Sequence, residues 1–310
     1  MAYHFDMDLT GKMEFLFPVE IVAPPEPSYD EAKIAVILLD ENDSPTDDVL
    51  YVDALSEART ILSNSPSGSR YWVRMGNQNV ALFIDNRAFG DYSNPQDRLR
   101  LFTMNSYVYT IYASAFQQCV SLKNIVLPHV GSLYSYVFGN CTSLESVDMS
   151  GCPTTSTGNG TFYYCTSLTE VKLPAGLTKI GSDAFKGCTS LSKLDIPSGV
   201  TTIGDDAFNG CTSLSELELP SGVTTIGNNA FNRTAFTKFV VPESVTSIGM
   251  GTFAYCSNLQ EIEIPSGVTS INSLAFAGCT NLTKITINKP ENSISGAPWG
   301  ATNATVIWTG

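Results

Sequence analysis

Residues 201–225, TTIGDDAFNGCTSLSELELPSGVTT, recur with small changes along most of the chain. Residues 178–202 read TKIGSDAFKGCTSLSKLDIPSGVTT, and residues 269–287 read TSINSLAFAGCTNLTKITI. The phenylalanine of this unit returns every 22 to 24 residues, at Phe116, Phe138, Phe162, Phe185, Phe208, Phe231, Phe253 and Phe276. A fixed period in this range predicts a solenoid, because each unit can bury its apolar face only against the next one.

The positions within one unit have different expected roles. Leu194 and Ile196 are predicted to point inward on a short strand, and Lys193 and Asp195 to point outward, since alternate residues of a strand face opposite sides. The bulky Phe208 is expected to fill the interior of the same unit. Adjacent strands lie about 4.8 Å apart, so eight stacked units predict a body about 40 Å long.

The charge and apolar content of the chain disfavour nucleic acid and membrane as partners. The chain has 310 residues, of which 15% are charged, and a formal net charge of -13. This acidic balance disfavours binding to the phosphate backbone of nucleic acids. No apolar run is long enough to insert across a membrane. The N-terminus, MAYHFDMDLTG, lacks the basic start and apolar core of a secretory signal, so either an export signal was removed or none was present.

Three regions are predicted from the extent of the repeat. Residues 1–95 are expected to form an α+β segment or capping domain, residues 96–288 the solenoid, and residues 289–310 a C-terminal cap. Caps are needed because the terminal units of a solenoid would otherwise expose their apolar faces.

Local signals in the first half of the N-terminal region predict strands separated by turns. Residues 12–22 are strand-like, residues 24–28 form a proline-rich linker, and the apolar run at residues 33–39 predicts a strand. The acidic stretch at residues 40–48 favours a solvated loop. A calcium site is the alternative, although the stretch has a proline and no glycine at the turn that an EF-hand loop requires.

The second half of this region predicts a helix and two further strands. Asp53 is a candidate N-cap for a helix whose apolar face contains Leu55, Ala58, Ile61 and Leu62. Residues 71–74 and 80–84 predict either a hairpin or two early strands of the solenoid.

The cysteines follow the same period as the phenylalanines. Cys152 alone is out of phase, and the other seven each lie three residues after a repeat phenylalanine, at Cys119, Cys141, Cys165, Cys188, Cys211, Cys256 and Cys279. Thr234 takes this place in the Phe231 unit, which would leave a partner unpaired if successive units were cross-linked. We therefore predict buried, free thiols, with a disulfide involving Cys152 as the alternative. No close cysteine pair of the zinc type is present, and no metal site is expected.

The pattern LxxLxLPxxVxxIGxxAFxxCTS resembles the BspA-like class of leucine-rich repeats, found in surface and secreted proteins of bacteria and some protists. The resemblance covers about residues 97–287, where residues 97–116 look like a degenerate first unit. It implies a right-handed leucine-rich-repeat solenoid, with a β-strand ladder on one face and short turns or helical pieces on the other. It also implies protein binding and adhesion at the cell surface or outside the cell, without a cofactor or shared catalytic residues.

The sequence contains few candidate catalytic residues. Of the two histidines, His129 follows a strand and is predicted to be a turn residue, not a catalytic one. Glu216 with Glu218, and Glu261 with Glu263, are spaced to share one strand face, as paired carboxylates do in glycosidases. On an open ladder, solvated carboxylates are the simpler interpretation, and we expect no enzymatic activity.

The outward positions of the ladder are the predicted partner-binding surface. Mixed charge there can serve solubility alone, or it can form a weakly acidic face for a protein with basic patches. Few aromatic residues fall on these positions, which disfavours a platform for stacked sugars. The candidate contact residues are Glu170, Lys172, Lys193, Asp195, Glu216, Glu218, Lys238, Glu261, Glu263 and Lys284.

The C-terminal residues are predicted to close the end of the solenoid. Trp299 and Trp308 are expected to cover the last unit, with a final strand at residues 304–308.

We expect a non-enzymatic, protein-binding module of a bacterial surface or secreted protein, with adhesion to host or matrix proteins as its use. A structural or receptor-binding part of a phage-like particle is one alternative, suggested by a tail similar to those of repeat proteins from gut Firmicutes and their phages. A hydrolase is the other. The sequence leaves the oligomeric state open.

Overall fold

The computed structural model describes residues 34–40, 45–52, 55–65, 69–74, 83–84, 88–89, 99–104 and 108–310. The predictions for residues 12–22, for residues 24–28 and for Asp53 lie outside these ranges. The N-terminal part contains β1 (Ile34–Leu39), β2 (Pro45–Val52), α1 (Leu55–Asn64), β3 (Arg70–Arg74), β4 (Phe83–Ile84) and β5 (Leu99–Thr103).

The solenoid that follows is built from short strands and turns. Its strands are β6 (Thr110–Ile111), β7 (Asn124–Val126), β8 (Ser132–Leu133), β9 (Ser146–Asp148), β10 (Glu170–Lys172), β11 (Lys179–Ile180), β12 (Thr202–Ile203), β13 (Thr225–Ile226), β14 (Lys238–Val240), β15 (Ser247–Ile248), β16 (Glu261–Ile264), β17 (Ser270–Ile271), β18 (Lys284–Ile287) and β19 (Thr305–Trp308). The protein is a leucine-rich-repeat solenoid, as predicted.

The N-terminal strands extend the sheet of the solenoid. β1 pairs antiparallel with β2 and β3, and β3 pairs parallel with β5. The sheet then continues through β7, β9 and β10, in the order β10-β9-β7-β5-β3-β1-β2. The predicted strand at residues 33–39 and the predicted helix are confirmed as β1 and α1, and Ala58 and Leu62 of the helix are fully buried.

Two N-terminal predictions need correction. Residues 45–48 belong to β2, so the acidic stretch is not a loop throughout. β2 is the edge strand of its sheet, and an edge strand tolerates a proline and charged residues because one side makes no ladder hydrogen bonds. A hairpin between β3 and β4 is also wrong, because β3 pairs with β5 and β4 pairs with β6. Both are early solenoid strands, which was the other alternative.

Two parallel ladders run along the solenoid. The first contains β5, β7, β9 and β10, and later β14, β16, β18 and β19. The second contains two-residue strands ending at an isoleucine or leucine, in the groups β4-β6-β8, β11-β12-β13 and β15-β17. This second ladder was not predicted, and residues 108–310 contain no helix.

Turns replace helical pieces because two residues adopt a left-handed backbone in seven of the eight units from Phe116 to Phe276. In the central unit these residues are Asp206, with a φ of 56°, and Gly210, with a φ of 78°. A right-handed helix requires a negative φ at every residue. Asp and Asn tolerate the left-handed region better than most side chains, which explains their recurrence before the AF pair.

A continuous stack of phenylalanine rings fills the core. Neighbouring rings from Phe116 to Phe276 have centroids 5.3–5.8 Å apart and interplanar angles of 4–25°. All of these rings are fully buried. The backbone follows the same stack, since the amide of Phe208 donates to the carbonyl of Ala230, one unit further on, at 2.8 Å.

The stack contains a ninth ring that the sequence period did not reveal. Phe89 stacks on Phe116 with a centroid distance of 5.5 Å. Its signal is Ile84, which precedes it by five residues, as Ile203 precedes Phe208. The interval from Phe89 to the next ring is 27 residues and so falls outside the regular period. The predicted domain boundary at residues 95/96 stays a prediction, although repeat packing begins before it.

The cysteines form a second buried column beside the rings, and all eight are free thiols. The thiol of Cys211 donates to the carbonyl of Phe185 in the preceding unit at 3.0 Å, and the amide of Cys188 donates to the same oxygen at 3.1 Å. Cys152 is also buried and donates to the carbonyl of Leu127 at 3.1 Å. Free structural thiols are thus confirmed, and a disulfide involving Cys152 is wrong.

The hydroxyl of Thr234, at the gap in the cysteine column, donates to the carbonyl of Phe231 in its own unit at 2.9 Å. It also lies 3.2 Å from the sulfur of Cys256. Threonine therefore occupies the cysteine position, but it directs its hydrogen bond within its unit and not to the preceding one.

The C-terminal residues cover the last unit. Trp299 is 1% exposed, and its carbonyl accepts a hydrogen bond from the amide of Phe276 at 3.1 Å. β19 pairs parallel with β18, and Trp308 packs half-buried against the core. The predicted final strand and the predicted roles of both tryptophans are confirmed. No helix that the structure describes has the length and apolar character needed to cross a bilayer.

Glycines four residues before the repeat phenylalanine permit close approach between units. A Cβ added to Gly204 would lie 2.5 Å from the backbone nitrogen of Ser182 and 2.7 Å from the carbonyl carbon of Gly181. Real Cβ atoms do not approach backbone this closely, so the unit spacing requires glycine here. Gly222 differs, because the nearest atoms to its added Cβ lie 3.9 and 4.0 Å away.

We expect Gly204→Ala to destabilise the protein by about 1–3 kcal/mol, because the added methyl forces adjacent backbones apart. Gly222→Ala is the matched control, and it should leave stability unchanged or raise it by up to about 1 kcal/mol, since it only restricts the unfolded chain. Urea unfolding of both variants measures the difference. Equal stability of the two variants would contradict the close packing at Gly204.

The buried thiols predict a loss of stability at alkaline pH. Burial raises the pKa of Cys211 to about 12 and that of Cys152 to about 11, from an ordinary value of 9.0. The folded protein therefore keeps protons that the unfolded chain releases above pH 9.0. The contribution of these thiols is complete below this pH and is lost as the pH rises towards their folded pKa values. Melting temperatures from pH 8 to 11 should fall less steeply for Cys211→Ala than for the unaltered protein, and identical slopes would contradict the assignment.

Candidate functional site

The outward side chains of the first ladder form one surface, here called the ladder face. All ten predicted contact residues lie on it and are exposed or half-exposed. In the strands, Glu170 pairs in register with Ser146, and Lys172 with Asp148. Ser146 itself is only 8% exposed, and its hydroxyl donates to the side-chain oxygen of Asn124 at 2.7 Å.

Charges at the N-terminal end of the ladder face are paired with each other. The Nζ of Lys172 lies 3.5 Å from a carboxylate oxygen of Asp148 and 3.9 Å from one of Glu170. These three side chains border a shallow depression, which Ile125 and Val147 also line. A depression this open resembles a contact surface more than an enclosed pocket for a small ligand.

Charges at the C-terminal end are paired as well. The Nζ of Lys238 lies 3.3 Å from a carboxylate oxygen of Glu263, and that of Lys284 lies 3.9 Å from one of Glu261. Both pairs cross between neighbouring strands, where Lys238 is in register with Glu261 and Glu261 with Lys284. Each of these lysines offsets a carboxylate, so this end carries little uncompensated charge.

The centre of the ladder face differs from both ends. Lys193, Asp195, Glu216 and Glu218 are all exposed, and in the described part of the chain none of them has an oppositely charged group within 4.0 Å. Lys193 and Glu216 are in register across an isolated bridge, but their charged groups do not meet. Three carboxylates and one ammonium group thus face solvent without ion pairs. We call these four residues the central charged patch.

The backbone of the ladder is also looser at this centre. The seven-stranded sheet ends at β10 and the four-stranded sheet begins at β14, and between them the Lys193–Glu216 bridge replaces regular strands. Ile196 and Leu219 are partly exposed here, whereas the equivalent Ile264 and Ile287 are fully buried. Leu217 is also partly exposed, whereas its equivalents Ile262 and Ile285 are fully buried. The central charged patch therefore borders a small apolar area.

The residues considered for catalysis do not converge. His129 is exposed in a turn, as predicted, with its ring 6.2 Å from that of Tyr109. Glu216 and Glu218 stand on the open ladder face. Within the residues that the structure describes, no three His, Cys, Asp or Glu side chains form a group that could hold a metal ion.

Comparison with known proteins identifies the family to which the chain belongs. The family model described as BspA type leucine rich repeat region matches six copies, over residues 84–198 and 178–298. The chain belongs to this family, and the resemblance drawn from its repeat is confirmed. A search of the curated proteins found no match.

Solved structures of bacterial leucine-rich repeat proteins share the fold. A leucine-rich repeat protein from Bacteroides ovatus is 20% identical, with a TM-score of 0.52, and the alignment covers 78% of this chain and 74% of that one. The pneumococcal vaccine antigen PcpA is 21% identical, with a TM-score of 0.51 and coverage of 73% and 65%. At sequence identities of 20% and 21%, the structural similarity shows that the chain shares the solenoid fold, and it does not identify a ligand.

Proposed function

We propose that this chain is a non-enzymatic protein-binding module of a bacterial surface or secreted protein, and that it contacts its partner through the ladder face. The observation that supports this proposal most is the central charged patch, where the carboxylates of Asp195, Glu216 and Glu218 form no ion pair with any residue that the structure describes. A family of bacterial surface proteins is the context that supports an extracellular location.

The charge distribution favours a basic partner. The patch carries three negative charges and one positive charge, in a protein whose net charge is -13. Charges of one sign on a surface accelerate the approach of an oppositely charged partner and fix its orientation more than they raise affinity. Among the described candidate residues of the ladder face, the carboxylates at either end lie within 4.0 Å of a lysine, whereas those at the centre are available to lysine or arginine side chains of a partner.

The apolar area beside the patch adds a second contact. Protein interfaces combine an apolar centre with polar groups around it, and the exposed parts of Ile196, Leu217 and Leu219 supply apolar surface next to the charges. In this proposal the partner carries a basic patch with an adjacent apolar side chain. Adhesion to a host or matrix protein is the specific form that we propose.

The test compares two charge reversals of equal size. We expect Glu216→Lys with Glu218→Lys to weaken binding to purified fibronectin, fibrinogen or laminin by about tenfold or more at low salt, mainly through slower association. The control, Glu261→Lys with Glu263→Lys, changes the net charge equally but alters residues that are already paired. It should weaken binding by less than about threefold. Biolayer interferometry at two salt concentrations measures both rates.

Two results would count against the proposal. Equal losses in the two double variants would mean that net charge, and not the central charged patch, governs binding. Binding by the unaltered protein that neither double variant changes would place the contact away from the ladder face. If the unaltered protein binds none of the three matrix proteins, adhesion to matrix is wrong.

A further inference from the structure

Three consecutive units carry tyrosines at turn positions where most other units have none. We call the segment from four residues before each repeat phenylalanine to two residues after it the turn side. Tyr134 stands four residues before Phe138, where five later units have glycine and the last has asparagine. Tyr136 stands two residues before Phe138, where five later units have Asp, Asn or Gly and the last has leucine. Tyr164 stands two residues after Phe162, where three other units have glycine. The full set, here called the tyrosine strip, is Tyr112, Tyr134, Tyr136, Tyr163 and Tyr164.

The rings of the strip contact one another across units. The centroids of Tyr112 and Tyr134 lie 5.1 Å apart, and those of Tyr136 and Tyr163 lie 5.5 Å apart. Tyr163 and Tyr164 meet edge to face at 4.6 Å. Each of the two groups of rings includes one tyrosine of the Phe138 unit, Tyr134 in the first and Tyr136 in the second.

Glycines of the next unit support two of these rings from below. A Cβ added to Gly187 would lie 2.8, 2.9 and 3.0 Å from three consecutive ring atoms of Tyr164. Because these three distances are nearly equal, the added Cβ of Gly187 would lie over the face of the Tyr164 ring and not beyond its edge. Tyr136 lies over Gly160 in the same manner. One face of each ring therefore rests on the backbone of the next unit.

The strip is exposed and ordered at the same time. Tyr134 is 50% exposed and Tyr164 is 43% exposed, although both are anchored in a repeating backbone. Tyrosines held in this way offer a large amphipathic surface that loses little freedom on binding. Large exposed aromatic groups without a packing role in the core are unusual, and such patches commonly bind a ligand.

The strip carries no charge, in contrast to the rest of the molecule. The stretches that contain the strip, YTIYASAFQQ (109–118), GSLYSYVFGN (131–140) and STGNGTFYYC (156–165), have no Asp, Glu, Lys or Arg. Lys186, from the following unit, lies 6.0 Å from the centroid of Tyr163. Its Nζ is paired with Asp183 at 3.0 Å and with Asp206 at 3.2 Å. Charge complementarity therefore favours an uncharged ligand.

We propose that the tyrosine strip is a binding site for a neutral polysaccharide. A pyranose ring has an apolar face of C–H groups that stacks on an aromatic ring, and a rim of hydroxyls that hydrogen-bonds to phenol, amide and hydroxyl groups. The strip offers both, since Ser135, Asn140 and Asn159 lie between its rings in the sequence. A chain of sugars can extend across successive units, as the rings do.

This site is separate from the ladder face. Sugar stacking was disfavoured there because few aromatic residues fall on outward strand positions, and the tyrosines collect on the turn side instead. The two surfaces consist of different residues, so the tyrosine strip can bind a polysaccharide whether or not the ladder face binds a protein. Variants of one surface provide controls for the other.

Affinity gel electrophoresis of the whole chain tests the site directly. The native gels contain hydroxyethylcellulose, barley β-glucan, xylan, galactomannan or soluble starch. The test variant is Tyr134→Gly with Tyr164→Gly, which restores the residue that other units have at both positions. The matched control is Tyr255→Gly, because Tyr255 occupies the same position as Tyr164 and lies over Gly278, but it adjoins Arg233 and lies outside the strip. Circular dichroism confirms that each variant is folded.

We expect at least one polysaccharide to retard the unaltered protein and the Tyr255→Gly control. The double variant should bind roughly tenfold more weakly or not at all, because two stacking surfaces are removed. Glu216→Lys with Glu218→Lys should be retarded like the unaltered protein. The proposal is overturned if no polysaccharide retards the unaltered protein, or if the double variant is retarded equally. Binding of a proline-rich peptide at the strip, without any polysaccharide, would also overturn it.

Discussion

The structure depends on the stacking of one phenylalanine per unit along the axis of the solenoid. Each ring lies 5.3–5.8 Å from the next, so a ring buries its two faces against its neighbours and not against its own unit. The hydrogen bonds follow from this arrangement, because the Phe185 carbonyl takes a backbone amide from its own unit and a thiol from the next. Stability therefore arises between units, as expected for a repeat protein.

This constraint separates residues that hold the fold from residues free to bind. Core positions repeat because each must match its neighbour, whereas outward positions on the ladder face and the turn side can vary. The central charged patch and the tyrosine strip both occupy such variable positions. They differ in chemistry, since one carries unpaired carboxylates such as Glu216 and the other carries neutral aromatic rings such as Tyr164. We therefore propose that the two surfaces of one scaffold bind two kinds of partner.

The sequence period was sufficient to predict the solenoid, the buried thiols and the outward direction of the ladder charges, because these features depend on spacing alone. Phe89 was missed because an insertion lengthens its interval to 27 residues. The paired ends and the unpaired centre of the ladder face depend on strand register, which decides that Lys238 reaches Glu263 while Lys193 does not reach Glu216. The tyrosine strip was missed because its residues come from several positions of the unit and meet only after the units stack.

Equilibrium unfolding of Phe208→Ala tests the central claim most directly. Phe208 stacks between Phe185 at 5.3 Å and Phe231 at 5.7 Å, so its loss leaves a cavity in the middle of the stack. The account predicts a loss of about 3–5 kcal/mol in the free energy of unfolding, the usual cost of removing a buried phenylalanine ring. A loss below about 1 kcal/mol would contradict it, because the ring would then contribute little to holding the units together.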